Sequence, residues 1–252
     1  MISQIYAYTA AAYQHYGLYD EANRWARRTI AFGEKHNTLF AQATGYEYLG
    51  ENSIHTGNYE KGLQYAQREI EIANRLHSRE RRAWVHFYSG HCHFFLDHIE
   101  RAEQEFLDGI RLAEAIGENR ALSLFTSSLA VVQAKQGRYD EALQTASANL
   151  QSSSPTLLYS HFEALRCLAE VRFRRGELDE AEKICREADE FISGTDSRVT
   201  QLWLGPLYIE VLLAAQKRAE ALEKLTGYKS LVAECQSPRF TSEATRLAQI
   251  LS

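Results

Sequence analysis

Apolar residues along this chain return every three or four positions and never in alternation. Leu122, Phe125, Leu129 and Val132 mark one such stripe, and Leu158, Phe162, Leu165, Leu168 and Ala169 mark another. That spacing places one apolar face on an α-helix. The stripes are interrupted at His36-Asn37, His77-Ser78, Gly117-Glu118-Asn119, Ser152 to Pro155, Gly194-Thr195-Asp196 and Ser237-Pro238. Such clusters punctuate rather than continue a helix. With only three prolines, Pro155, Pro206 and Pro238, long helices are permitted almost everywhere. The pattern predicts six helix hairpins and a last helix over about residues 240–250.

A second signal lies inside each hairpin. Gly17-Leu18-Tyr19-Asp20-Glu21-Ala22, Gly57-Asn58-Tyr59-Glu60-Lys61-Gly62 and Gly137-Arg138-Tyr139-Asp140-Glu141-Ala142 share one turn, and Asp97 to Ala102 and Gly176 to Ala181 continue the series about every 40 residues. A fixed period of this size is the mark of a repeat architecture. The first residue accepts the positive φ that ends a helix, and the acidic residues suit the positive end of the next helix dipole. The small residues Ala22, Gly62, Ala102, Ala142, Ala181 and Ala221 fall where two antiparallel helices must cross closely.

These motifs resemble the tetratricopeptide repeat family in a long form of about 40 residues per unit. Tyr46-Glu47-Tyr48-Leu49-Gly50 and Tyr88-Ser89-Gly90 carry the glycine of the first helix, Ala10, Ala130 and Ala169 replace it elsewhere, and Phe106 holds the aromatic place in a second helix. Closing prolines appear only as Pro155 and Pro238, and Gln216-Lys217-Arg218 replaces the glycine turn of the sixth unit. The resemblance implies an all-α, right-handed superhelical solenoid. Its six repeats span about 1–37, 38–78, 79–117, 118–154, 155–196 and 197–236, and residues 237–252 form a C-terminal capping helix. It also implies that first helices line a concave groove. The side chains placed there include Glu47, Glu51 and His55 from the second unit, and Trp84, Phe87, His91, Phe94 and Phe95 from the third. Lys135, Arg166, Glu170 and Arg174 follow from the fourth and fifth. The Lys and Asn of the family's chaperone-tail clamp are replaced by Ala7 and Ala11.

Composition adds limits. The formal charge of −5 over 252 residues argues against a nucleic-acid surface, which needs a basic face. Basic runs such as Arg79-Glu80-Arg81-Arg82 and Arg172 to Arg175 read as solvated helix faces. The four cysteines, Cys92, Cys167, Cys185 and Cys235, lie far apart without a CxxC pair and read as buried thiols of a reducing compartment. No leader segment or membrane-length apolar window is visible, so a cytoplasmic location is expected.

Chemistry is sparse. His86 and His93, or His91 and His98, are seven residues apart, two helical turns, too far for one metal ion without a third element. No nucleophile elbow, phosphate loop or dinucleotide fingerprint is present, so neither an enzyme nor a cofactor is expected. The surplus of aromatics in the third unit forms an open contact patch or fills the wide spaces of a 40-residue repeat. The expected function is a non-catalytic scaffold that binds a peptide or partner helix, within a larger bacterial regulator of the kind that ends in such repeats. The alternative is a sensor of a small inducer molecule. Self-association through the end repeats is a third possibility.

Overall fold

The computed structural model describes residues 2–252. Its elements are α1 (Ile2–His15), α2 (Tyr19–Lys35), α3 (Leu39–Thr56), α4 (Tyr59–Arg75), α5 (Arg79–Phe95), α6 (Ile99–Ile116), α7 (Asn119–Lys135), α8 (Tyr139–Ser152), α9 (Leu158–Arg175), α10 (Leu178–Ile192), α11 (Arg198–Ala214), α12 (Arg218–Glu234) and α13 (Pro238–Leu251). No strand occurs among the described residues. The protein is all-α, built from antiparallel helix hairpins.

One termination device recurs. Inside the hairpins the residues in left-handed conformation are Gly17, Gly57, Gly137 and Gly176, with Asp97 and Gln216 taking the same role without glycine, while Asn37, His77 and Gly117 adopt it between hairpins. Behind each, a backbone N–H reaches back five residues: Leu18 to Tyr13, Asn58 to Ser53, His98 to His93, Arg138 to Gln133, Glu177 to Arg172 and Lys217 to Leu212, all at 2.9–3.0 Å. This closes the helix and reverses the chain at once. Acidic residues then open the next helix, Asp20 and Glu21 in α2, Asp140 and Glu141 in α8, Asp179 and Glu180 in α10.

The small residues behind the turns are sealed at the helix crossings: Ala22, Ala102, Ala142, Ala181 and Ala221 have no exposed surface. A Cβ on Gly62 would lie 2.5 Å from Cys92 Sγ and 3.1 Å from Ser53 Cβ. In the first helices, a Cβ on Gly50 would strike the Tyr88 ring at 2.6 Å, and one on Gly90 the Phe106 ring at 2.6 Å.

The helices divide into two compact units. The first comprises residues up to Leu122 together with Cys235–Ser237, and the second Ser123–Glu234 with Pro238–Ser252. In the first, Ala10, Ala26, Ile30 and Leu49 form a core cluster edged by Trp25, Tyr46, Tyr48 and Tyr65. In the second, Phe125, Phe162, Leu165, Leu202, Leu204, Ile209 and Leu212 are fully buried. Arg81, expected on a solvated face, is only 7% exposed.

Tyr88 cannot swing away from residue 50, because its hydroxyl donates to Glu69 Oε2 at 2.5 Å. Gly50→Ala should therefore destabilise the protein by about 1–2 kcal/mol, overpacking exceeding the gain in helix propensity. Gly227, in α12, has open space where a Cβ would go. Gly227→Ala should stabilise by about 0.5–1 kcal/mol. Urea unfolding of the two variants should move in opposite directions.

Candidate functional site

In the first unit, α3 presents Glu47, Glu51 and His55 one turn apart, and α5 presents the aromatic row. Along α5 the rings touch in sequence. Trp84 meets Phe87 edge-on at 5.8 Å, Phe87 meets His91 at 4.7 Å, and His91 stacks on Phe95 at 6.3 Å. Phe94 meets Phe95 edge-on at 5.3 Å. All five are half-buried. Tyr59 of α4 stacks on Phe95 at 5.1 Å, Phe106 of α6 braces His91 at 5.2 Å, and the exposed Arg120 guanidinium lies 5.1 Å over Trp84. The row is thus held from one side by neighbouring helices and partly open.

The carboxylates beside it are anchored internally. Arg81, at the start of α5, donates to Glu47 Oε2 at 3.2 Å, to Glu69 Oε1 at 3.4 Å and to Thr44 Oγ1 at 2.7 Å, while its guanidinium caps the Phe40 ring at 4.2 Å. Glu69 has no exposed surface. Burial, reinforced by the Glu51 charge and opposed by Arg81, pushes the Glu47 carboxyl up to about 7. Burial also raises Glu51, against the hydrogen bond from Gln14 at 3.0 Å. The sequence did carry a signal for this network. Arg81 stands sixteen residues before its turn, like the buried Ala41 and Ala121. Glu69 stands twelve after its turn, like the buried Thr29, Gly109 and Asn149.

His55 sits apart from the row. It is 7% exposed, its ring stacks on Tyr19 at 5.2 Å, and its carbonyl accepts the Ser237 hydroxyl at 2.5 Å. The Gln236 N–H donates to the Gly17 carbonyl at 3.0 Å, so the Cys235–Ser237 segment lies against the α1–α2 turn as well.

In the second unit, Arg166 is 7% exposed and already paired. It donates to Glu163 Oε2 at 2.9 Å and Glu170 Oε2 at 3.2 Å, and lies 5.4 Å from the Trp203 ring centre. Arg166, counted among the groove residues, is thus held by carboxylates of its own helix. Burial would raise Glu170, but Arg174, donating at 2.8 Å, and Arg166 outweigh it and hold the carboxyl below its usual value. Arg174 and Lys135 end their helices exposed. Trp203 is covered by Phe240 and Arg239 of α13, at 5.7 and 4.0 Å. A separate open cavity of about 630 Å³ lies among α10, α11 and α12, bordered by Arg186, Asp189, Gln201, Tyr208, Lys224 and Tyr228.

The histidines pair in a way the helix spacing alone does not show. The left-handed Asp97 brings His98 back onto α5, with its Nδ1 3.3 Å from His93 Nδ1, and His86 Nδ1 meets Glu105 at 2.7 Å. Among the described residues no three metal-ligating side chains converge on one point. The four cysteines are buried and form no disulfide, and burial pushes the thiols of Cys92, Cys167 and Cys185 up to about 12. No described helix is long and apolar enough to cross a membrane.

With this geometry in view, the sequence model of the tetratricopeptide repeat matches residues 123–148 and 163–187. Those two stretches carry the sequence signature of a tetratricopeptide repeat. No curated protein matches it in sequence. Among solved structures it is similar to a signal transduction ATPase with numerous domains and a tetratricopeptide repeat sensor from Pyrococcus horikoshii, at 16% identity and a TM-score of 0.55, covering 99% of this chain and 38% of that one. A Rap protein complexed with competence and sporulation factor is similar at 17% identity and a TM-score of 0.59, over 88% of this chain and 66% of that one. The apo form of RapI follows at 15% identity and 0.54, over 98% and 84%. The chain thus spans little more than a third of the ATPase and about two thirds of the Rap protein. At these identities the likeness concerns the repeat fold.

The raised Glu47 carboxyl has a consequence for stability. The folded chain keeps a proton that the unfolded chain releases near 4.5, so this contribution is complete below pH 4.5 and is lost as pH rises through about 7. Glu47→Gln, which can still accept from Arg81, should remove part of that decline, on the order of 1–3 kcal/mol between pH 5 and pH 7.5. Urea unfolding at the two pH values measures it.

Proposed function

We propose that these tetratricopeptide repeats form a non-catalytic interaction module that binds a peptide or partner helix through the ring row of α5. The observation that carries this reading is the unbroken, half-exposed sequence Trp84, Phe87, His91, Phe95 and Phe94 on one helix. Aromatic side chains offer large contact area at low entropic cost, and a partner helix with apolar anchors would settle on them. Glu47 and Glu51 stand beside the row as oriented acceptors, and in the second unit, taken by itself, Lys135 and Arg174 are exposed cations suited to an acidic segment. The Arg166–Glu163–Glu170 network orients Arg174 through Glu170. The Rap protein in complex with a named factor supports binding as the use of this fold. The repeat sensor of the ATPase supports placement within a larger regulator.

The cavity among α10, α11 and α12 favours a second reading, a small-molecule sensor. Its volume of about 630 Å³ is in the range of ligand sites, and Tyr208 and Tyr228 offer ring faces beside polar groups.

Panning a random peptide library against the protein should enrich sequences with an apolar anchor flanked by charge. Trp84→Ala with Phe94→Ala should weaken the selected peptides at least tenfold while the helical circular dichroism stays unchanged; equal binding would remove the ring row from the site. A metabolite that raises the melting temperature, with the effect lost in Tyr208→Ala and kept in Phe94→Ala, would favour the sensor instead.

A further inference from the structure

The repeats allow each position to be compared across hairpins by counting from the left-handed residue inside each. Eight residues before it, the first helices α3, α7 and α9 carry the buried Leu49, Leu129 and Leu168 and α5 the buried Ser89, but α11 carries Tyr208. Thirteen after it, α2, α4, α6 and α8 carry Ile30, Ile70, Ile110 and Leu150, but α10 carries Asp189. Eight after it, α4 carries Tyr65 and α12 carries Lys224. In the first unit Leu49 and Ile30 share a core cluster with Tyr65 packed on its edge. The matching positions of α10, α11 and α12 hold an ion pair instead, Lys224 Nζ to Asp189 Oδ2 at 2.6 Å, with the ammonium 4.9 Å from the Tyr208 ring centre.

A seam that is apolar among α2, α3 and α4 is thus polar among α10, α11 and α12, and there the cavity of about 630 Å³ opens. Gly227 borders it where α2, α4, α6, α8 and α10 have Arg28, Arg68, Asp108, Ala148 and Glu187, and a Cβ on Gly227 would meet no atom within 4 Å. Glycine inside a helix is a cost, and no close packing here requires it. Tyr208, only 5% exposed, borders the cavity, and its hydroxyl makes no hydrogen bond among the described residues. The side-chain amide of Gln201, also on the cavity wall, makes none either. The two cations on the wall are already engaged by carboxylates of α10, Arg186 with Glu182 at 2.9 Å and Lys224 with Asp189. Glu190, Glu220 and Glu223 form no ion pair among the described residues, so the unmatched charge of the cavity is negative.

We propose that this cavity binds a linear polyamine, a flexible chain of methylenes carrying two or more protonated amines; the inference rests on the reading of the cavity as a small-molecule site. The ammonium groups donate to the carboxylates of Glu190, Glu220 and Glu223 and to the Tyr208 hydroxyl and Gln201 carbonyl oxygens, all of which are free to accept. The methylenes lie along Leu204, Leu212 and Leu231, over the bare backbone of Gly227. An anion would meet three unpaired carboxylates, and a neutral ligand would leave their charge unanswered.

Isothermal titration calorimetry of the intact chain with spermidine at low ionic strength should show a saturable heat for one site. Tyr208→Phe, which keeps the ring, should weaken binding about tenfold, as should Glu220→Gln combined with Glu223→Gln. Gly227→Leu, at an exposed position, should fill the cavity and abolish the heat with unchanged circular dichroism. Putrescine should bind more weakly than spermidine, and the diol and the dicarboxylate of the same chain length should not bind. Binding of the diol or the dicarboxylate that Gly227→Leu removes overturns the cationic class and keeps the cavity as a ligand site. A spermidine heat that survives both Gly227→Leu and Tyr208→Phe overturns the site, the amine then being held by diffuse surface charge. No heat with spermidine overturns the proposal, and the small-molecule reading of the cavity falls with it only if the metabolite screen also yields no thermal shift that is lost in Tyr208→Ala.

Discussion

The close crossing of two helices just beyond each turn is the constraint on which the rest of the structure depends. Where Ala22, Gly62, Ala102, Ala142, Ala181 and Ala221 lie, there is no room for a longer side chain, as the 2.5 Å approach of a Cβ on residue 62 to Cys92 Sγ shows. Interhelical distance follows from the side chains at the contact. Small residues there bring the partners together and commit the flanking positions to burial. The left-handed turn residue supplies the other half of the constraint, because it fixes how soon the second helix begins and hence which of its faces meets the first.

Once the crossings are fixed, some polar side chains are carried inside with the apolar ones. Arg81 occupies a position that alanine fills in α3 and α7, and it survives there by donating to Glu47, Glu69 and Thr44 at once. Arg166 is held in the same manner by Glu163 and Glu170. A buried guanidinium left without such acceptors would be strongly destabilising. Each of these networks links helices, or turns of one helix, inside its own unit, and in doing so sets the orientation of groups that reach solvent. Glu47 beside the ring row and Arg174 beyond Glu170 are the two outward products.

The aromatic row differs from these networks because it is only half enclosed. Tyr59 and Phe106 support it from neighbouring helices, and Arg120 reaches over Trp84. Five rings on one helix exceed what a single packed stripe requires. The remainder gives the first unit a surface that is apolar, rigidly held and partly open, which is the physical basis for reading it as a place of contact.

Much of the fold was legible in the chain. The three-and-four spacing determined the helices, the left-handed positions determined the turns, and the 40-residue period determined that these would recur. Each depends on interactions spanning a few residues. Gln216 and Asp97 kept the turn without glycine because the backbone needs only the αL conformation, which a polar residue can adopt at modest cost. The site was legible as a set of helix positions and less so as an environment. His55 is enclosed by Tyr19 and the Ser237 hydroxyl, and Arg166 by its ion pair with Glu163, none of which the helix count reveals. What the tertiary structure alone decided was which faces are covered, and by what: His93 against His98, Trp203 under Phe240, and Arg81 over Phe40. Periodicity specifies the direction of a side chain from its helix axis, but cover comes from a partner remote in sequence, whose distance no local spacing encodes.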